Sequence, residues 1–353
     1  MIHNINRFTP LFWRRGVPPS RNRIVVPPMA SQTAGLDGSV TAQTLDHYQR
    51  LASAGAGMTF VEYTYVHPSG RSEEHQLGAS LEGHVAGLAK IAVALKAQGT
   101  LPGLQLTHSG GKTEVALSGG LLMAPSDVPV PVKDREMGVP TPMTAGEIEL
   151  WHDSFVAAAG RAVAAGFPLV ELHAAHGYGL NQWLSPLTNK RSDAYGGTQT
   201  RRARLLVEIC TTIRARFPQL LLAVRLAGQD HLTGGLTQHD ARLVAQLLIE
   251  AGVDLIDVSS GLGGWRRPQD RVGEGYLVPE AAAMQAAVSV PVIGVGGIET
   301  GTFVDKALRD GQFSLAAVGR AILADPLAWR MRHLPDHRLG RQVAASLPGA
   351  HCG

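Results

Sequence analysis

The chain has 353 residues, a formal net charge of +3 and two cysteines, Cys210 and Cys352, that lie far apart. The basic residues are scattered without a run, which argues against a nucleic-acid-binding surface. The cysteine spacing argues against a disulfide scaffold, an iron–sulfur cluster and a thiolate zinc site. No apolar stretch approaches the length of about 18 residues that a membrane-spanning helix needs, and the N-terminus lacks the apolar core of a signal peptide. These features predict a globular cytoplasmic protein.

Short apolar runs alternate with amphipathic segments along the chain, which is the pattern of repeated βα units. Several runs are almost continuously apolar, as expected for parallel strands that are covered on both faces. Eight strands are predicted, over residues 23–27, 58–64, 103–107, 169–173, 220–225, 255–259, 292–295 and 315–318. Helical spacing and terminal signals predict helices over residues 43–54, 82–97, 144–165, 200–217, 238–251, 279–287 and 302–309.

Eight regular units favour a single (β/α)8 TIM barrel of the α/β class over a doubly wound sheet. No linker rich in Pro, Gly or Ser divides the chain, so residues 1–353 are predicted to form one domain. Residues 1–22 are predicted to form a hairpin cap over the barrel floor, and residues 334–353 a C-terminal tail. The irregular stretch 108–143 is predicted to be a long loop or small lid after the third strand.

Functional residues of a TIM barrel lie where strands end and βα loops begin. The fourth predicted strand ends in E-L-H-A-A-H-G-Y-G, which places His173, His176 and Tyr178 at this edge. Two neutral imidazoles can hydrogen-bond one substrate oxygen, and a phenol can supply a proton. The alternatives are a pair of structural histidines or two zinc ligands, although no third zinc ligand is obvious nearby.

Arg225 ends the fifth predicted strand, and Gln105 lies in the third. A buried arginine is costly unless it meets an anion, so it either pairs with an internal carboxylate or faces an anionic ligand. An arginine and an amide that converge on a planar heterocycle would suit the pyrimidine edge of a flavin, where the positive charge stabilises the reduced ring.

Glycines follow the last two predicted strands, in G-V-G-G-I (294–298) and A-V-G-R-A (317–321). Barrels often place a phosphate site after strands seven and eight, where glycines let backbone N–H groups approach the phosphoryl oxygens. Arg320 adds a fixed positive charge at this point. Each run is equally compatible with a structural turn, and neither fits G-x-G-x-x-G, so a Rossmann dinucleotide site is not indicated.

These pieces together resemble the Old Yellow Enzyme family of FMN-dependent NAD(P)H oxidoreductases, and most closely its bacterial, thermophilic-like branch. The strand-four motif and the loop that follows it form the most specific part of the resemblance. The matching segments are R-N-R-I-V-V-P-P-M (21–29), H-P-S-G-R (67–71), G-L-Q-L-T-H-S-G (103–110), A-P-S (124–126), H-A-A-H-G-Y (173–178), S-P-L-T-N-K-R-S-D-A-Y-G-G (185–197), V-R (224–225) and V-G-R (318–320).

The resemblance implies a role for each matching residue. FMN would be bound by Pro27, Pro28, Met29 and Ala30 at the end of the first strand, by Gln105 and Arg225 at its pyrimidine ring, and by Gly296, Gly297, Gly319 and Arg320 at its phosphate. His173 and His176 would bind the carbonyl or nitro oxygen of the substrate, and Tyr178 would be the proton donor. NAD(P)H would be the hydride donor.

The sequence departs from the family pattern at several positions. Ala30 replaces the cysteine that tunes the flavin potential in this branch, and Gln32 replaces a substrate-contacting tyrosine. Tyr63 stands where a small residue is expected, so it either narrows the pocket or hydrogen-bonds the flavin. The family's H-A-G-R-K becomes H-S-G-G-K, which removes an arginine at Gly111. The C-terminal arginine that some relatives insert into a neighbouring subunit has no match in residues 347–353.

The implied activity is reduction of the activated C=C bond of α,β-unsaturated carbonyl or nitro compounds, with hydride transfer from the reduced flavin N5 and protonation by Tyr178. The alternative on the same barrel is an FMN-dependent amine dehydrogenase, demethylase or desaturase. A metal-dependent lyase or hydrolase that uses the two histidines as ligands belongs to another class. The expected partners are small molecules, and assembly as a homodimer or homotetramer is compatible with the resemblance.

Overall fold

A computed structural model of the chain describes residues 5–133, 135–264 and 267–334. In these residues, eight parallel strands form a closed barrel and two short strands form a separate parallel pair, β4 with β5. The strands are β1 (Ile24–Val26), β2 (Met58–Tyr65), β3 (Leu101–Thr107), β4 (Met123–Ala124), β5 (Thr141–Pro142), β6 (Leu169–Ala174), β7 (Leu221–Ala227), β8 (Leu255–Ser259), β9 (Val292–Gly294) and β10 (Leu315–Ala317).

Helices connect successive barrel strands and cover the outside of the barrel. They are α1 (Ala42–Ala52), α2 (Val85–Ala97), α3 (Ala145–Ala164), α4 (Gly179–Leu184), α5 (Gln199–Arg216), α6 (Gln238–Glu250), α7 (Val278–Gln285), α8 (Gly301–Arg309), α9 (Arg320–Ala324) and α10 (Pro326–His333). Thr144 begins α3 with a reciprocal cap, because its side chain accepts from the Glu147 backbone N–H while the Glu147 carboxylate accepts from Thr144.

The barrel order is β1-β10-β9-β8-β7-β6-β3-β2, which closes because β1 pairs with both β10 and β2. The predicted TIM barrel is therefore confirmed, and all eight predicted strands are present within two residues of their predicted ends. The short helices α4, α9 and α10 were not predicted. All six residues of α4 are buried, so it has no polar face to give a helical period, and Pro326 separates α9 from α10.

Two apolar layers stabilise the barrel. One fills its interior with residues that come from every barrel strand, among them Val25, Phe60 and Ile293. The other lies between the strands and the surrounding helices, where Trp151 and Phe155 of α3 are fully buried. Strands that are apolar on both faces are what the continuous apolar runs indicated.

The N-terminal segment forms the predicted hairpin cap. Leu11 and Ser20 pair in an antiparallel bridge, and the Trp13 indole donates to the Ser20 hydroxyl at 2.9 Å. Leu11, Trp13 and Val17 pack against the apolar interior layer, so the hairpin closes the barrel floor. Of the predicted tail 334–353, only Leu334 belongs to the described residues.

The predicted long loop follows β3 and contains the β4–β5 pair. It is anchored to the segment after α4, because the Lys190 backbone N–H donates to the Ser126 hydroxyl and the Arg191 guanidinium donates to the Pro125 carbonyl. The A-P-S motif (124–126) and the motif at residues 185–197 therefore pack together beside the mouth of the barrel. In residues 5–133, 135–264 and 267–334, no helix combines the length and apolarity required to cross a bilayer.

Truncation of the outer apolar layer should show how much it contributes to stability. Phe155 is 0% exposed, so Phe155→Ala should lower the free energy of unfolding by about 3–5 kcal/mol, through lost burial and the cavity left behind. Val93 on α2 is 66% exposed, and Val93→Ala should change it by less than about 0.5 kcal/mol. Urea titrations of both variants test this, and similar midpoints would contradict the assigned packing.

Candidate active site

A cavity of about 600 Å³ opens at the carboxyl ends of the barrel strands, which is the size of a small-molecule site. Its wall contains every residue that the sequence singled out: Pro27, Pro28, Met29, Ala30, Gln32, Tyr63, Gln105, His173, His176, Tyr178, Arg225, Gly296, Gly297, Gly319 and Arg320. The closed barrel brings these positions together, although they are spread over almost 300 positions of the chain.

His173, His176 and Tyr178 form one corner of the cavity. The rings of His173 and His176 are 5.1 Å apart, and the rings of His173 and Tyr178 are 4.9 Å apart. His173 lies in β6, whereas His176 begins a left-handed turn with φ +59°, followed by Gly177 at +74°. This turn folds the chain back, so that three side chains within six residues meet at one wall.

The surrounding protein keeps both imidazoles neutral. Burial lowers the pKa of His173 and of His176 well below the usual value, and the positive charge of Arg225 lowers both pKa values further. His176 is oriented by Ser259, whose hydroxyl lies 2.6 Å from Nε2. His173 Nδ1 is buried without a hydrogen-bond partner among the described residues. That atom is free to bind a polar atom in the cavity, because a buried polar group without a partner is costly.

A row of charged and polar side chains crosses the barrel interior beneath this corner. His173, Arg225 and Asp257 are in register on the adjacent strands β6, β7 and β8. Arg225 Nε lies 3.2 Å from Asp257 Oδ2, and the side chains are only 7% and 1% exposed. Two residues before His173 on β6, Glu171 Oε1 accepts a hydrogen bond of 2.7 Å from Gln105 Nε2 of β3. The sequence left an internal carboxylate and an anionic ligand as alternatives for Arg225; the structure supplies the carboxylate and still places the arginine at the cavity.

Glu171 and Asp257 are the two buried acids of this row, and their pKa values are shifted by different surroundings. Burial and then the negative charge of Asp257 raise the pKa of Glu171 well above its ordinary value. Burial also raises the pKa of Asp257, but the adjacent Arg225 opposes this shift. These shifts favour a protonated Glu171 next to a charged Asp257, which pairs with Arg225.

The glycines after β9 are required by their backbone geometry. Gly296 and Gly297 have φ of +120° and +66°, and a Cβ on Gly296 would lie 2.6 Å from the Leu277 backbone nitrogen. Near them, Arg320 is exposed and lines the same cavity. A Cβ on Gly319 would lie 3.3 Å from Met29 Sδ and from Pro27 Cγ. Backbone groups and a guanidinium at this end could therefore hold a phosphate.

The turn after β1 is fixed by Glu62, a buried residue of β2. Its carboxylate accepts from the Ser31 backbone at 2.9 Å and from the Tyr48 hydroxyl at 3.2 Å. Ser31 lies between Ala30 and Gln32, so this anchor presents both neighbours to the cavity. Gln32 itself has a left-handed backbone with φ +53°.

Tyr63 reaches the cavity because β2 is irregular. The pairing register of β2 with β3 shifts between Val61 and Thr64, and Tyr63 lies within this irregularity. Such bulges redirect side chains near active sites. The Tyr63 and Tyr178 rings are 5.4 Å apart at an interplanar angle of 38°, so the two phenols stand side by side.

Several site residues were not predicted from the sequence. Glu73 and Ser259 line the cavity, Asp257 balances the charge of Arg225, Glu171 accepts from Gln105, and Lys112 lies 4.5 Å from the Tyr178 ring centroid. The signal for Glu171 was its position two residues before His173, since alternate strand residues share a face. For the loop residues Glu73 and Lys112, no strand periodicity existed that could place them.

A family model described as the NADH:flavin oxidoreductase / NADH oxidase family matches residues 16–334 of the chain. The chain belongs to this family. It is 37% identical over 307 residues to an NADPH dehydrogenase of Geobacillus thermodenitrificans (strain NG80-2), an alignment that covers 87% of this chain and 88% of the relative. The expected membership of the Old Yellow Enzyme family is thus confirmed, and the protein is an FMN-dependent NAD(P)H oxidoreductase.

Two solved structures share the fold over most of the chain. An Old Yellow Enzyme homologue from Zymomonas mobilis matches with a TM-score of 0.79 at 25% identity, over 92% of each chain. Histamine dehydrogenase from Rhizobium sp. 4-9 matches 94% of this chain with a TM-score of 0.82 at 25% identity. This chain spans 48% of that protein, so the similarity is confined to about half of it.

The cavity residues fit FMN. If FMN occupies the cavity, Arg225 and Gln105 would offer a cation and an amide to its ring, and the glycine loops with Arg320 would offer donors to its phosphate. His173 Nδ1 is buried here without a hydrogen-bond partner in the described residues, as expected where a polar ligand binds. Among the same residues, no group of three or more His, Cys, Asp and Glu side chains converges as a metal site would require.

If Glu171 is protonated and Asp257 is charged, two isosteric substitutions should differ in their effect on stability. Glu171→Gln should change the free energy of unfolding by less than about 1 kcal/mol, because a glutamine can accept from Gln105 and donate to Asp257 as the protonated acid does. Asp257→Asn leaves Arg225 without its charged partner and should cost about 3–5 kcal/mol.

Urea unfolding of the two FMN-free proteins at neutral pH measures both effects under the same conditions. If Glu171→Gln lowered the free energy of unfolding more than Asp257→Asn does, then Glu171 would be the charged acid and Asp257 the protonated one.

Proposed function

We propose that this enzyme reduces the activated C=C bond of α,β-unsaturated carbonyl or nitro compounds. The observation that carries the proposal is the corner of the cavity where two neutral imidazoles and one phenol lie with ring centroids about 5 Å apart. Such a corner suits a substrate with one polar oxygen and an adjacent carbon that receives a proton. FMN, once reduced by NAD(P)H, supplies the hydride for the other carbon.

His173 and His176 bind and polarise the substrate oxygen. As neutral groups they can donate a hydrogen bond without carrying charge into a buried site, and their lowered pKa values keep them neutral throughout the physiological pH range. Hydrogen bonds directed at an oxygen that gains negative charge during the reaction stabilise the transition state more than the ground state. The bond between His176 Nε2 and Ser259 holds one ring in orientation.

Tyr178 supplies the proton to the α-carbon. Its pKa is raised above the usual value, chiefly by burial, so the phenol is fully protonated at neutral pH. The hydroxyl groups of Ser72 and Tyr63 oppose this shift through hydrogen bonds, which favour the phenolate that remains after transfer. The cofactor contacts proposed for Arg225, Gln105, Gly296, Gly297, Gly319 and Arg320 hold the ring and its phosphate in the same cavity.

Three departures from the family pattern shape the substrate range. Tyr63 adds a second aromatic wall next to Tyr178, whereas Ala30 and Gln32 remove a thiol and a phenol from the cavity wall. The cavity is therefore expected to favour flat, narrow substrates that stack between aromatic groups.

A second candidate is oxidation of an amine on the same barrel. Glu73 lines the cavity together with the two phenols, and a carboxylate with aromatic neighbours is a favourable site for an ammonium group. The structural similarity to histamine dehydrogenase is consistent with this reaction. Anaerobic incubation separates the two candidates: bleaching of the oxidised enzyme by amines supports the second, and reoxidation of the reduced enzyme by enones or nitroalkenes supports the first.

Tyr178→Phe should separate the two half-reactions of the proposed cycle. Removal of the proton donor should slow alkene reduction by about 10²- to 10⁴-fold. Reduction of the enzyme by NADPH needs no proton from this phenol and should stay within about 2-fold of the wild type, since the ring of Tyr178 is retained. Rapid-mixing absorbance measurements give both rates, and equal loss in both would argue against the proton-donor role.

Tyr63→Ala should widen the cavity beside Tyr178. The expected result is a lower KM for enones with bulky β-substituents, by about 10-fold, whereas cyclohexenone should be less affected. Tyr63→Phe is the matched control because it keeps the ring and removes only the hydroxyl. A panel of steady-state KM values tests this, and an unchanged preference in Tyr63→Ala would show that Tyr63 does not set the pocket width.

A further inference from the structure

Lys112 contacts the proposed proton donor although it lies on the loop after β3, far along the chain from Tyr178. Its Nζ is 4.5 Å from the centroid of the Tyr178 ring, within the range of a cation–π interaction. The same ammonium donates a hydrogen bond to the His176 carbonyl oxygen. One side chain therefore contacts two of the three residues that form the proposed catalytic corner.

The hydrogen bond to His176 stabilises a strained part of the backbone. His176 and the following Gly177 both have positive φ, which is unfavourable for the histidine. The His176 backbone N–H donates to the Ser260 carbonyl at 3.0 Å, and Lys112 binds the carbonyl of the same residue. Both polar groups of the His176 main chain are thus fixed, which in turn fixes the direction in which Tyr178 leaves the turn.

The charge of Lys112 is directed at the ring and the carbonyl. Arg135 and Glu73 face it from neighbouring loops, but in the part of the chain that the structure describes no carboxylate forms a salt bridge with Lys112. The charge of Lys112 also contributes to lowering the pKa values of His173 and His176. A cation without a carboxylate partner is available to stabilise negative charge that develops nearby.

We propose that Lys112 is a positioning residue for the proton transfer: its ammonium holds the Tyr178 ring and the His176 turn, and it stabilises the phenolate of Tyr178. The inference rests on the proposed function. In the step concerned, the O–H bond of Tyr178 breaks and the proton forms a C–H bond with the electron pair of the substrate α-carbon. The electron pair of the O–H bond stays on the phenolate oxygen, and water later returns one proton to it.

The position of Lys112 gives the reaction a distinct pH dependence. Burial, and then the charge of Arg135, lower the pKa of Lys112 to about 8, and Glu73 opposes this shift. Its ammonium is therefore present below about pH 8 and lost as the pH rises through that value. The pKa values of His173 and His176 are shifted well downward and that of Tyr178 upward, so these groups stay neutral in the same window.

Substitutions that change only the charge or only the shape test the proposal in the holoenzyme. In the wild type, the rate of alkene reduction by the reduced enzyme should fall as the pH rises through about 8. Lys112→Met should slow this step about 10-fold at pH 7 and abolish the fall. Lys112→Arg should keep most of the rate and move the fall to higher pH, because the guanidinium stays charged. Reduction by NADPH should change by less than about 2-fold in each variant.

Two further variants separate the charge of Lys112 from the charge of its neighbour Glu73 and from its hydrogen bond to His176. Glu73→Gln should leave a fall in the profile, displaced to slightly lower pH, because Glu73 raises the pKa of Lys112. Lys112→Gln keeps a donor for the His176 carbonyl without a charge, and it replaces Lys112→Met if that variant does not accumulate. A fall near pH 8 that persists in the uncharged variants, or equal losses in both half-reactions, would overturn the proposal.

A spectroscopic measurement does not depend on the alkene reaction. When 3,5-difluorotyrosine is incorporated at position 178, its more acidic phenol can be titrated by ¹⁹F NMR in an accessible pH range. Lys112→Met should raise the pKa of this phenol by about one unit, equivalent to the 10-fold effect. An unchanged phenol pKa overturns the inference, whereas a raised pKa in an enzyme that reduces no enone or nitroalkene overturns only the proposed function.

Discussion

Closure of the parallel barrel is the constraint on which the site depends. Parallel strands that pair in a ring must all end at the same edge, so residues from β1 to β10 meet there despite their separation in the chain. The apolar interior layer and the N-terminal hairpin fill the barrel below that edge, which leaves only its upper part for polar side chains. The cavity therefore lies above the apolar interior layer, and the residues at the strand ends determine its chemistry.

A charged side chain in the barrel interior needs an oppositely charged partner, because an unpaired buried charge is costly. Arg225 is balanced by Asp257, and burial together with the charge of Asp257 raises the pKa of the second acid, Glu171, which favours its neutral form. The same positive charge suppresses protonation of His173 and His176. A single buried arginine therefore affects both the electrostatics of the proposed cofactor site and the protonation state of the groups proposed to bind substrate.

Periodicity and motifs in the sequence predicted the barrel and its strands, and together with the family resemblance they predicted fifteen of the residues that line the cavity. Most of those residues lie at strand ends, where topology fixes position. Contacts that depend on loop conformation could not be predicted in this way. Lys112 and Glu73 reach the neighbourhood of Tyr178 from two different loops. Tyr63 was expected at the cavity, but the irregularity in β2 that brings it there has no sequence signature of its own. Helix α4 was missed because burial of all its residues removes the amphipathic pattern.

In the proposed reaction, one substrate oxygen binds between the two imidazoles while the adjacent carbon faces Tyr178. A crystal structure of the FMN-loaded enzyme with a nitroalkene or a substituted phenol in the cavity tests it most directly. We expect a ligand oxygen within about 3.2 Å of a ring nitrogen of both His173 and His176, with the Tyr178 hydroxyl over the neighbouring carbon. A ligand whose oxygen lies away from both imidazoles, with its other end against Glu73, would contradict it.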